Sequence, residues 1–169
     1  IDIHFKLNLK KKTLFQCIFI IDAFLSKNEI ERKNFQLLGI VALLIACKQN
    51  ETIYPPLRAF LAFSDNLYTL EELINMEKKV IRSLEFDILA PTADDFFMIN
   101  AEYFEFTEKQ KFFGEYFLDA SLIDYHLLKY KQSTIAVACG YIVIKFFNLN
   151  GIHFIVNNTL PDINLYDIK

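Results

Sequence analysis

An all-α fold is what this sequence predicts, and three observations carry the prediction. Apolar residues recur at helical spacing along most of the chain, and no segment keeps the alternation of a half-buried strand. Only four glycines and four prolines punctuate 169 residues, too few for the many turns of a β-sandwich. With 53% hydrophobic and 15% aromatic residues, the chain can fill the core of one large or two small helical domains.

The elements follow in order. Ile1, Ile3 and Phe5 open the chain too briefly to classify. From Thr13 the stripe Leu14, Ile18, Ile21, Phe24, Leu25 reads as a helix that breaks at Ser26, Lys27 and Asn28. Asn34 is a plausible N-cap for a run that stays apolar on nearly every side as far as Lys48, and such a helix belongs in the middle of its domain. Its Gly39, Ala42 and Ala46 are expected to let neighbouring helices come close. Pro55 and Pro56 stop the preceding element, and Pro56 can start a short helix to Phe63. Ser64, Asp65 and Asn66 make a turn. Thr69 and Glu72 form a capping box ahead of the stripe Leu73, Met76, Val80, Ile81, Leu84.

Ala90-Pro91-Thr92 is the expected boundary, because proline disfavours helix at the residue before it and Thr92 can cap the helix after it. Two domains are therefore expected, residues 1–89 and 90–169. The second repeats the theme with helices from Asp94 to Glu102, Thr107 to Asp124 and Ser133 to Phe147. Its last helix mixes small residues (Ala136, Ala138, Cys139, Gly140) with bulky apolar ones, a weak match to Leu38–Lys48 that hints at duplication. Beyond Asn148 the periodicity fades, with one further helix expected to begin near Pro161.

Several functions are disfavoured. A net charge of −3 gives no basic face for nucleic acid. The apolar runs from Phe35 to Cys47 and from Thr134 to Phe147 fall short of the ~20 residues of a bilayer span, so no membrane partner is expected. Cys17, Cys47 and Cys139 are odd in number and widely spaced, which fits buried thiols in a reducing compartment rather than disulfides or a metal site. His4, His126 and His153 share no motif, and the adjacent pairs Glu71-Glu72 and Asp94-Asp95 read as solvated first-turn charges. No glycine-rich phosphate loop or nucleophile elbow is present. The expectation is a non-enzyme with no catalytic residue, no cofactor and no metal.

The motifs go further. Ile21-Asp22-Ala23-Phe24-Leu25-Ser26, Phe35-Gln36-Leu37-Leu38-Gly39 running on to Ala46-Cys47-Lys48, Ile53-Tyr54-Pro55-Pro56, Asp65-Asn66-Leu67-Tyr68-Thr69, Met76-Glu77, Leu84-Glu85-Phe86-Asp87, Ala90-Pro91-Thr92, Ser121-Leu122-Ile123-Asp124 and Leu128-Lys129-Tyr130 stand in that order. Together they resemble the signatures of cyclins of the mitotic A/B type, colinear from Ile1 to about Phe147.

The resemblance implies tandem five-helix cyclin boxes, the first lacking its N-terminal end and the second incomplete. It implies a regulatory subunit that binds and activates a cyclin-dependent protein kinase in cell-cycle control, in nucleus and cytoplasm. Lys48 and Glu77 are expected to hold the kinase C helix and its preceding loop, with Ile45, Ile81, Phe86 and Ile88 supplying dry contact on the kinase small lobe. A docking groove for substrate or inhibitor peptides is expected at Asp2, Arg32, Phe35, Gln36 and Asp65. Asp22 is expected to hold a structural arginine from residues preceding Ile1, since the chain opens on Ile rather than Met and so reads as part of a longer one.

The chain also departs from the pattern. Ala23 stands where an arginine is usual, Gln49-Asn50-Glu51-Thr52 replaces an aromatic-acid-acid segment, and Lys131-Gln132 replaces a small or proline-containing one. Two other readings stay open: a nucleic-acid-associated member of the cyclin fold, like the core of general transcription factor B, and a truncated or divergent cyclin-fold scaffold or inactive kinase binder.

Overall fold

In the computed structural model, residues 2–65 and 67–149 are described, and they contain α-helices and 3-10 turns without a β-strand. They divide into two compact units, one ending at Ala90 and the other beginning at Pro91.

The first unit has five helices among its described residues: α1 (Asp2–Lys6), α2 (Lys11–Lys27), α3 (Phe35–Asn50), α4 (Leu57–Ala62) and α5 (Leu70–Ser83). The opening segment, too brief to classify from sequence, is helical from Asp2 to Lys6, and α2 runs through Ser26 and Lys27 before extended backbone at Asn28 ends it. As its composition demands, α3 lies at the centre and packs on α2, α4 and α5, with every residue from Ile40 to Cys47 buried. Asn34 does not cap it with its side chain; a 3-10 turn, Arg32–Asn34, leads straight in, and the Phe35 N–H bonds to the Arg32 carbonyl. That turn satisfies a donor that a side-chain cap would otherwise take. Pro56 is the N-cap of α4, which ends at Ala62 and buries Phe60.

The capping box at α5 is complete: the Thr69 N–H donates to Glu72 Oε2 at 2.7 Å, and the Glu72 N–H donates to Thr69 Oγ1 at 3.2 Å. Leu73, Met76, Val80 and Leu84 then face the core.

In the second unit α8 (Gln132–Phe146) packs on both α6 (Ala93–Tyr103) and α7 (Glu108–Ser121). Asp94 and Asp95 are not the solvated pair expected. Asp95 completes a capping box with Thr92, accepting its N–H and hydroxyl at 2.9 Å each, and Asp94 is buried. The expected helix to Asp124 ends at Ser121, and Asp124 instead caps the 3-10 turn Tyr125–Lys129. The expected start of a helix near Pro161 lies outside the described residues.

Helix ends repeat one device without glycine. Asn8, Glu85, Glu105 and Asn148 follow α1, α5, α6 and α8 with φ of 49°, 53°, 51° and 52°. After each, the next residue's N–H reaches back a full turn: Leu9 to the His4 carbonyl, Phe86 to Ile81, Phe106 to Ala101, Leu149 to Ile144. These are Schellman closures, normally built on glycine.

Close approach also falls on an unexpected glycine. A Cβ on Gly39 or Gly140 would meet nothing within 4 Å, whereas one on Gly114 of α7 would lie 2.3 Å from Phe97 Cζ. The gap at Gly114 is what seats α7 against the buried Phe97 ring of α6.

Candidate functional site

Lys48 stands in the last turn of α3 and Glu77 in the middle of α5. Their side chains meet, Nζ to Oε1, at 2.6 Å, with exposures of 37% and 15%. The packing of α3 on α5 brings together two residues 29 apart. An ammonium has three donors and a carboxylate about four acceptor sites, so the pair keeps donors on Lys48 and the second oxygen of Glu77 for a partner. Groups already charged and held in place make the stronger kind of hydrogen bond to a backbone carbonyl or amide.

Apolar residues follow Glu77 along the chain. Ile81 lies one turn beyond Glu77 on α5, half-buried against the core. Phe86 is 72% exposed, with φ at 64°, an uncommon backbone state for a bulky residue. Ile88 is half-buried, and its carbonyl accepts from the buried Gln16 side chain of α2. Gln16 thus anchors the segment that carries Phe86 and Ile88, a role the sequence did not reveal. Ile45 is a correction: it is 2% exposed and supports the face from within the core instead of offering surface. Leu89, not foreseen, is exposed beside this segment.

The predicted groove residues are only partly gathered. Arg32, Phe35 and Gln36 follow one another through the 3-10 turn into α3, all exposed. The Tyr68 hydroxyl donates to the Lys33 carbonyl at 2.8 Å, tying the segment after Asp65 to that turn. Asp65 is exposed with φ at 51°, and no ion pair joins it to Arg32 among the described residues. Asp2 begins α1, and its side chain lies outside what is described. Gln36 also borders a cavity of about 250 Å³ with Ile3, His4, Cys17, Ile18 and Ile21. His4 is buried there, its Nε2 on the Lys10 carbonyl at 3.0 Å and its Nδ1 without a partner.

Asp22 is half-buried in α2, and burial pushes its carboxyl above the ordinary carboxylate range. The three cysteines are buried, and desolvation pushes each thiol up to about 12, so none is a nucleophile at neutral pH. Among the described residues no cluster of three or more His, Cys, Asp or Glu could hold a metal ion, and no helix is long and apolar enough to cross a membrane.

Comparison with known proteins identifies the family. The family described as cyclin, N-terminal domain, matches residues 1–89, and that described as cyclin, C-terminal domain, matches residues 91–167. The chain belongs to the cyclin family. Among curated cyclins it is 36% identical to G2/mitotic-specific cyclin-1 of Medicago sativa subsp. varia and 33% identical to Cyclin-B2-2 of Oryza sativa subsp. indica. Each alignment covers 83% of this chain but only 33% and 34% of the relative, so the chain spans about a third of their length. An X-ray structure of a viral cyclin from herpesvirus saimiri superposes with a TM-score of 0.81, covering 98% of this chain and 74% of that one at 20% identity. That likeness establishes the tandem cyclin-box fold.

Proposed function

We propose that this cyclin is a regulatory subunit of a cyclin-dependent protein kinase in mitotic cell-cycle control, itself without catalysis, acting in nucleus and cytoplasm. The observation that carries the reading is the Lys48–Glu77 pair, joined at 2.6 Å and still partly open to solvent.

The pair grips the backbone at the kinase C helix and its preceding loop, Lys48 toward carbonyls and Glu77 toward amides. Ile81, Phe86 and Ile88 exclude water around it, as the rim of a hot spot does. A kinase assembles its own catalytic Lys–Glu pair only when the C helix is correctly placed. A subunit that binds only that arrangement shifts the kinase population toward it. Arg32, Phe35, Gln36, Asp65 and Asp2 form the second element of the proposal, a groove for the docking peptides of substrates or inhibitors. Asp22, which no arginine of the described residues pairs with, is proposed to hold one from another segment.

Titration of a purified cyclin-dependent kinase from the same organism tests the reading. Lys48→Ala and Glu77→Ala should each weaken binding at least tenfold, about 1.4 kcal/mol, and the wild-type chain should stimulate phosphorylation of a histone-type substrate. Unchanged binding by both single variants would sink the interface assignment.

A further inference from the structure

Three helices, α5, α6 and α7, begin with local capping boxes in which the third helical residue (Glu72, Asp95, Gln110) accepts the N–H of the capping threonine. α2 begins differently. Its N-cap is Lys10, its third residue is Thr13, and its first turn holds Lys11 and Lys12 with no acidic residue, an unfavourable charge for a helix N-terminus. The missing carboxylate comes from Glu51, 41 residues away. Glu51 Oε1 accepts the Lys10 N–H at 2.8 Å and the Thr13 hydroxyl at 2.5 Å. The exchange is mutual, because Lys10 Nζ donates to the Asn50 carbonyl at 2.7 Å and so places a cation at the C-terminus of α3.

Asn50 and Glu51 lie in the segment that departs from the usual cyclin pattern. They close the last turn of α3, where the Glu51 N–H bonds to the Cys47 carbonyl and the Asn50 side chain to that of Ala46. Helix ends fray when their carbonyls lack partners. Lys48 stands in this turn.

We propose that Glu51 is a positioning residue for Lys48: by completing the cap of α2 and receiving Lys10 in return, it fixes the turn from which Lys48 reaches Glu77 and the kinase. The inference rests on the proposed kinase-binding role of Lys48 and adds the device that sets its geometry.

A double-mutant cycle on kinase affinity tests it. Glu51→Ala should weaken binding about fivefold when Lys48 is present and change it less than about 1.5-fold in a Lys48→Ala background, the non-additivity expected of linked residues. Glu51→Gln keeps the accepting oxygen and should stay within about twofold of wild type. Hydrogen exchange on the free chain gives a readout independent of the kinase. Glu51→Ala should speed exchange of the amides of Lys10 and Glu51 and leave those in the middle of α5 unchanged.

Equal losses from Glu51→Ala in both backgrounds, or unaltered exchange at Lys10 and Glu51, would overturn the positioning role while the kinase reading stands. Wild-type affinity in Lys48→Ala would overturn the role of Lys48 in the kinase reading, and the positioning role with it.

Discussion

Replacing Glu85 by glycine should make the protein more stable although it removes a side chain and adds no contact. Glu85 follows α5 with φ at 53°, is exposed, and closes the helix when its N–H bonds to the Arg82 carbonyl and that of Phe86 to Ile81. A residue with a Cβ in this left-handed state costs about 1–2 kcal/mol, which glycine does not incur. Against that, glycine gives up about 0.5–1 kcal/mol more backbone freedom on folding. The difference leaves a gain of about 0.5–1 kcal/mol, roughly 2–8 °C in melting temperature for a unit of this size. Urea unfolding followed by far-ultraviolet circular dichroism measures it, with Glu85→Ala as the reference that removes the carboxylate but keeps Cβ. The midpoint for glycine should exceed that for alanine at an unchanged m-value. Equal midpoints would refute the argument that the left-handed turn is strained. Glu105, in the same place after α6, should behave alike, and Asn8 and Asn148 should gain less because asparagine tolerates this conformation.

The other predictions concern packing and protonation. Gly114→Ala should destabilise by about 1 kcal/mol, since overpacking against Phe97 at 2.3 Å outweighs the better helix propensity, while Gly39→Ala, with nothing within 4 Å, should stabilise by about 0.5–1 kcal/mol; melting curves of both variants check the opposite signs. Asp22→Asn should raise the stability of this 169-residue chain at pH 7. Burial holds the folded pKa of Asp22 above its unfolded value, so the neutral form suits the fold and its stabilising effect disappears as pH rises through the folded value. The advantage of asparagine should therefore shrink as pH falls toward the unfolded carboxylate value near ~3.9, and a pH-independent difference would contradict the assignment.

Features set by neighbours in sequence were readable from the sequence. The Thr69–Glu72 box spans three residues, and the central place of α3 follows from its lack of a polar side. Both are local or compositional. Features made by distant partners were not readable. The motifs single out Lys48 and Glu77 as two separate grips, yet their contact depends on how α3 lies on α5. Glu51 looked like a departure from a pattern because its partners, Lys10 and Thr13, belong to another helix. Glycine misled twice. Gly39 marks no close approach where Gly114 does, and four helices close on Asn or Glu where the usual stop signal is Gly.

The burial of α3 on all sides has a consequence during synthesis. Residues Ile40 to Cys47 leave the ribosome well before Leu73, Met76 and Val80, the side chains of α5 that cover them. At about 5–20 residues per second, the most apolar segment of the first unit waits several seconds for its last neighbour. During that interval it is a natural client for chaperones that recognise short hydrophobic stretches. A ribosome pause placed between α3 and α5 would lengthen the exposure, and slow codons there would lower the yield of soluble protein while leaving the finished fold unchanged.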